Sequence, residues 1–192
     1  MKELIQKKGL QKKHYKILDD KLYINIKSTQ EHNEWICSLE ELGLKKLYKK
    51  QSRIVLNIVV FACLIIVLSA LLTYIFAPEQ IDQRTLYFNM GIWGFIGIFF
   101  SLIPTKNEIY LYGGIQDLSF FRNKPDEKTV DQFVDELIEH TKQFLKNKYA
   151  KIDKDLNKDL QISNFHWLKN IEVITNEEFE ELKEEADRQK LY

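Results

Sequence analysis

Histidines, cysteines and clustered carboxylates are the side chains with which a chain binds metals, activates water or forms covalent intermediates. The four histidines, His14, His32, His140 and His166, fall in separate segments, and no two share the spacing that puts both imidazoles on one helix face. His140 falls on the polar edge of an amphipathic pattern, where a solvated ring is expected. Cys37 and Cys63 are far apart, and Cys63 lies inside an apolar run, so neither a disulfide framework nor a metal site follows. Glu177, Glu178, Glu180, Glu181, Glu184 and Glu185 read as the solvated face of a helix rather than a general-acid pair. Gly113-Gly114 precedes a strand pattern, not a helix, and so lacks the context of a phosphate-cradling loop. The chain contains no Gly-x-Ser-x-Gly. No catalytic residue, metal ligand or cofactor site is expected, and the reading is non-enzymatic.

The sequence is instead organised around residues 54–103, two uncharged apolar runs separated by a polar break. The first run, 54–76, has 23 residues and at about 1.5 Å per residue reaches roughly 34 Å, enough for a bilayer core of about 30 Å. The second, 86–103, reaches about 27 Å, enough for an upright helix, and Pro104 is expected to end it. The break, 77–85, carries Pro78, Glu79, Asp82 and Arg84 and reads as a short turn. Lys45, Lys46, Lys49, Lys50 and Arg53 precede the first run, and Lys106, Arg122 and Lys124 follow the second. The positive-inside rule therefore places both termini in the cytoplasm. Topology explains the basic cluster, which also suits anionic lipid head groups. Neither run holds an Asp, Glu, Lys, Arg or His, which argues against ion-coupled transport. Gly91, Gly94 and Gly97 allow close helix approach, either within the hairpin, with Ala62, Ser69 and Ala70 as receiving face, or between copies. Residues 1–13 are lysine-rich without an apolar core, so no cleavable signal is expected and the first apolar helix must target the chain. A formal net charge of zero gives no reason to expect nucleic acid. The Lys, Ile and Asn content suits a low-GC bacterium.

The flanks must fold into something that holds these helices. Residues 14–18, 22–27 and 35–39 alternate as strands, with a basic helical turn around Leu47 and Tyr48 leading into the membrane. Past the hairpin, 108–112, the Gly113-Gly114 turn and 115–122 read as two more strands. A helix follows Pro125, capped by Asp126 or by Thr129 with Gln132. On it Val130, Phe133, Val134, Leu137, Ile138, Thr141, Phe144 and Leu145 form one broad apolar face. Each flank alone has too few strands for a core, so 14–53 and 104–149 are expected to be halves of one split domain. The expected architecture is α+β: a transmembrane hairpin inserted in a split cytoplasmic antiparallel sheet closed by an amphipathic helix. Residues 150–164 read as a polar linker and 165–192 as a short helical module. There Thr175 and Glu178 form a capping box, Phe179 and Leu182 face inward, and Trp167, Leu168 and Ile171 lie on a preceding helix.

The strand order, ICSLEELG (36–43), EIYLYGG, LSFF and the helix KTVDQFVDELIEH together resemble bacterial pleckstrin-homology-like domains. The resemblance covers residues 14–149 and is to the membrane-associated versions with transmembrane helices between strands. The soluble part is short for that fold, which leaves a strand either absent or within the N-terminal segment. ITNEEFEELK (174–183) resembles the second half of a short C-terminal (SHOCT) domain, with Glu172 where that family has glycine and Glu185-Ala186 where it has paired leucines. Such families imply an interaction or assembly platform at the membrane, without shared catalysis. The expected function is a protein-interaction or oligomerisation platform in the bacterial inner membrane. Its partners would be the bilayer and a protein or a second copy, docking through Trp167, Phe179 and Leu182. The alternative is a membrane effector or immunity protein of a toxin or phage-defence system.

Overall fold

The computed structural model describes residues 2–77, 79, 81–103, 105–153 and 156–188. The chain is α+β, with two antiparallel sheets and five helices, and divides into two compact units, 1–49 with 107–192, and 50–106.

The first unit begins with four antiparallel strands in sequence order, β1 (Glu3–Lys8), β2 (Gln11–Ile17), β3 (Lys21–Lys27) and β4 (His32–Ser38). The N-terminal segment thus holds a strand, β1, paired with β2. Its alternation is hidden because polar side chains occupy inward positions. Gln6 is fully buried: its amide donates to the carbonyls of Phe121 (2.7 Å) and Lys124 (2.6 Å) and its oxygen accepts from Phe121 N–H (2.9 Å). Each polar atom is satisfied, which makes the burial tolerable. Lys13 is buried too, and its ammonium donates to Ser119 O and Oγ, both at 2.8 Å.

After a 3-10 turn at Leu39–Glu41, β5 (Lys45–Lys50), β6 (Asn107–Tyr112) and β7 (Leu118–Phe121) form the second sheet. β5 replaces the expected helical turn at Leu47 and Tyr48. Its alternate side chains are held from one side: Lys46 pairs with Asp135, and the Arg122 guanidinium, salt-bridged to Asp131, lies 4.8 Å from the Tyr48 ring centroid. β7 starts three residues later than expected because Gln116 N–H donates to Glu41 O at 2.9 Å in a parallel bridge between Leu42 and Gln116.

Helix α3 (Glu127–Tyr149) is capped by Asp126, whose carboxylate accepts from Thr129 N–H at 2.8 Å; the cap is worth about 1 kcal/mol. Its apolar face is buried as the periodicity requires, with Phe133 fully inaccessible and its ring centroid 6.4 Å from Tyr15 and 6.1 Å from Phe120. Leu4, Tyr15, Leu22 and Ile24 from the first flank share this core with Ile109, Leu111, Phe120 and α3 from the second. Residues from both sides of the apolar hairpin therefore complete one core.

Helices α4 (Lys158–Asn170) and α5 (Asn176–Arg188) extend the same unit. The expected linker ends at Asn157, whose side chain caps α4; Lys154 and Asp155 lie outside the described residues. Gln161 hides this helix as Gln6 hides β1: it is buried, with its amide donating to Asp153 O and Leu156 O. α4 ends in a Schellman motif, with Val173 N–H bonded to Leu168 O and Glu172 N–H to Lys169 O. That motif forces Glu172 to φ 59°, the left-handed region, at the position where the resemblance expects glycine.

In the second unit, α1 (Ile54–Phe76) and α2 (Gln83–Leu102) are both long and apolar enough to cross a membrane. α2 starts earlier than expected because Asp82 caps it, accepting from Arg84 and Thr85 N–H. Pro78 in the turn and Pro104 at the helix end lie outside the described residues. Arg53 serves both helices: it is the residue before α1, and its guanidinium donates to Ser101 O (2.9 Å) and Ile103 O (3.1 Å), carbonyls left unpaired at the end of α2.

Candidate functional site

Three groups of residues bear on function, and each is built by different elements. The first is the hairpin seam. Gly97 packs against α1, where an added Cβ would stand 3.4 Å from Cys63 Cβ, whereas Gly91 and Gly94 face open space. Three residues turn a helix by about 300°, so glycines at that spacing drift around the helix instead of stacking on one side. The receiving residues are Cys63 and Ala70, seven apart and both buried; Ala62 and Ser69 are exposed. The glycine row is thus divided, with one member inside the hairpin and two outside.

The second group is the junction of the two flanks. Gly43 lies so close to β6 that a Cβ would stand 2.2 Å from Tyr112 C, and at Gly114 it would stand 2.4 Å from Glu41 O. Neither crossing admits a side chain. Beside this interlock is a cavity of about 380 Å³, whose lining includes Leu42, Leu44, Leu145, Trp167 and Ile171. Lys45 and Asn170 stand among its polar lining residues, and Glu40 is engaged by Lys148, whose ammonium holds the Glu40 carboxyl below its usual range. Of the basic cluster, Lys45, Lys49 and Lys50 are exposed on β5, Lys46 is partly buried beside Asp135, and Arg53 is the helix clamp described above. Burial lowers the Lys46 pKa.

The third group is the C-terminal helix pair. Thr175 and Glu178 form the expected reciprocal capping box: Thr175 N–H donates to the Glu178 carboxylate at 3.0 Å and Glu178 N–H to Thr175 Oγ1 at 3.2 Å. The docking role expected of Phe179 is corrected by its burial at 2 % exposure, among Phe165, Leu168, Ile174 and Leu145 of α3. Leu182 and Trp167 pack on the same cluster, so the inward side of the pair is covered by α3. Trp167 remains partly exposed and meets the cavity. The side of α5 left to solvent is acidic: Glu177, Glu180, Glu181, Glu184 and Glu185 are exposed.

Three of the histidines and Cys37 are engaged structurally. His14 lies 2.6 Å from Glu3, His140 is half-buried with its ring 3.2 and 3.1 Å from the carbonyls of Leu18 and Asp19, and the His166 ring lies tilted against Phe179. Burial pushes the Cys37 thiol up to about 12, far from a reactive thiolate. Among the described residues no group of three His, Cys, Asp or Glu is placed to hold a metal ion.

One grouping has no sequence signal, because only strand register creates it. Lys7 stands opposite Lys12, Lys12 opposite Lys27, and Lys27 opposite His32, in a line across all four strands. All four residues are exposed. Comparison of the chain with protein-family models, with curated proteins and with solved structures found no match.

Proposed function

We propose that this chain is a non-enzymatic integral protein of the bacterial inner membrane, a membrane-anchored platform for protein interaction or self-association. Its soluble unit is read as a pleckstrin-homology-like domain, and the extra N-terminal strand, the strand order and the closing helix α3 support that reading. The observation that carries the proposal is the placement of the two apolar helices between β5 and β6, neighbouring strands of a single folded unit. A hairpin there returns the chain to the side it left, so both flanks meet on one side of a bilayer, and the lysines before α1 favour the cytoplasm. The outer face of the four-stranded sheet and the acidic helix α5 are then presented at the membrane. Extraction into nanodiscs, with the mass of the complex and its co-purifying proteins determined together, tests this. A defined oligomer or a specific second protein supports the platform reading; a monodisperse monomer without partners contradicts it.

The membrane-effector reading is favoured by Gly91 and Gly94, which face open space on α2 and leave its backbone approachable by a second copy. That reading requires Gly94→Leu to abolish both assembly and any growth inhibition on overexpression. Unchanged assembly in the variant eliminates it.

A further inference from the structure

Two cross-strand rows on the outer face of the four-stranded sheet carry an acid, Glu3 opposite Lys16 in one and Glu34 opposite Asn25 in the other. In its middle, His14 meets Glu3 across the β1–β2 pair, and Asn25 donates to Glu34 at 3.0 Å across the β3–β4 pair. At the end bounded by the β1–β2 and β3–β4 turns, the cross-strand positions read Lys7, Lys12, Lys27 and His32, with no acid among them. None of the three lysines has an ionic or hydrogen-bonded partner among the described residues. Like charges directly opposed across strands destabilise a sheet. With neighbouring strands about 4.8 Å apart, the four positions span roughly 14 Å. An anionic counterpart outside the sheet would relieve that repulsion.

The chain carries such a counterpart at its other end. Glu180, Glu181 and Glu185 on the solvent side of α5 have no ionic partner among the described residues, and Glu177 and Glu184 flank them. Residues 177–185 advance about 12 Å along the helix, with carboxylates every three to four residues, a repeat close to the strand spacing of the lysines. Within one chain the opposite face of α5 is fixed on α4 and α3 by Phe179 and by the Lys146–Glu178 and Lys158–Asp187 pairs. A formal net charge of zero leaves the whole chain free of the repulsion that would oppose association of copies.

We infer that the Lys7–Lys12–Lys27–His32 row docks the acidic solvent face of α5 from a second copy of this chain, a head-to-tail contact. The inference rests on the self-association reading and names its contact. Each copy then offers one basic row and one acidic helix, so the contact generates rings or open chains of copies.

A charge exchange in the detergent-solubilised full chain tests this by sedimentation velocity at low and high salt. Wild type is expected to associate at low salt and to dissociate as salt rises. The Lys7→Glu/Lys12→Glu/Lys27→Glu variant and the Glu180→Lys/Glu181→Lys/Glu185→Lys variant are each expected to self-associate at least tenfold more weakly. Mixing the two is expected to restore association, because each row then finds an opposite. Lys7→Gln/Lys12→Gln/Lys27→Gln keeps the test independent of folding: it is expected to melt higher than wild type while associating less. Wild-type association in both charge variants overturns the contact but leaves self-association standing. A wild type that never associates overturns both. Association that depends only on added anionic lipid, with no restoration on mixing, assigns the row to lipid head groups and overturns the inference.

Discussion

Gly43→Ala is the smallest change that attacks the junction between the two flanks. The added methyl would stand 2.2 Å from Tyr112 C and 2.3 Å from Tyr112 O, both backbone atoms that no rotamer change can move away. Ordinary contact needs at least about 3.4 Å, so β5 and β6 must separate locally by about 1 Å or the loop at 41–44 must lift. Overpacking of this kind costs about 3 kcal/mol, at the upper end of the usual range. Cys37 reports the consequence, since its thiol is buried and its pKa is raised by that burial. In a Cys63→Ala background in nanodiscs, labelling of Cys37 by a thiol reagent measures opening of the unit. A loss of about 3 kcal/mol raises the labelling rate about 100-fold under fast reclosing. Gly94→Ala serves as the control, because its Cβ meets nothing. If Gly43→Ala labels at the control rate, the two flanks do not interlock as described.

Glu172→Gly is expected to stabilise the C-terminal helix pair by about 0.5–1 kcal/mol, since it relieves a left-handed φ of 59° and its side chain makes no hydrogen bond among the described residues; a lower melting point by Trp167 fluorescence would refute this. Burial lowers the Lys13 pKa to about 8 from its ordinary 10.5, so the unfolded chain binds more protons between these values and stability rises with pH across that window. Relative to Lys13→Met, the wild type is expected to gain about 1–2 kcal/mol in denaturant stability from pH 7.5 to 9.5, and a flat difference would contradict the assignment. Staying below pH 10 avoids the opposing loss from Tyr15, which burial holds protonated. Gly97→Leu is expected to part α1 from α2 at Cys63 and lower the melting temperature of the hairpin, while Gly91→Leu leaves it unchanged.

Where interior positions carry apolar side chains, periodicity located the elements. Helix α3 follows its three-four spacing residue by residue, and the two long apolar runs become α1 and α2. The pattern failed where polar side chains turn inward. Gln6, Lys13 and Gln161 each occupy a buried position and satisfy themselves on backbone carbonyls, so β1 read only as a basic segment and the start of α4 as a linker. β5 failed for the opposite reason: KKLYKK has almost no apolar content, and Asp135 and Arg122 on distant segments hold it in place. The C-terminal capping box was legible because it is local. The burial of Phe179 against α3 was not, because an amphipathic helix does not reveal whether its own chain or another covers it. The lysine row on the outer sheet face was invisible, since residues 7, 12, 27 and 32 meet only through register.

Residues 1–49 and 107–192 form one compact unit, interrupted in sequence by the apolar hairpin. Gln51 N–H donates to Lys106 O at 2.8 Å, so these residues stand where a two-residue turn would close the strands. Replacing residues 52–105 by Asn-Gly and recording amide exchange on the purified product tests this most directly. The product is expected to be soluble and cooperatively folded, with the amides of Tyr15, Ile109 and Phe133 together among its slowest to exchange. A product that is unfolded, or one in which the two flanks exchange independently, would contradict it.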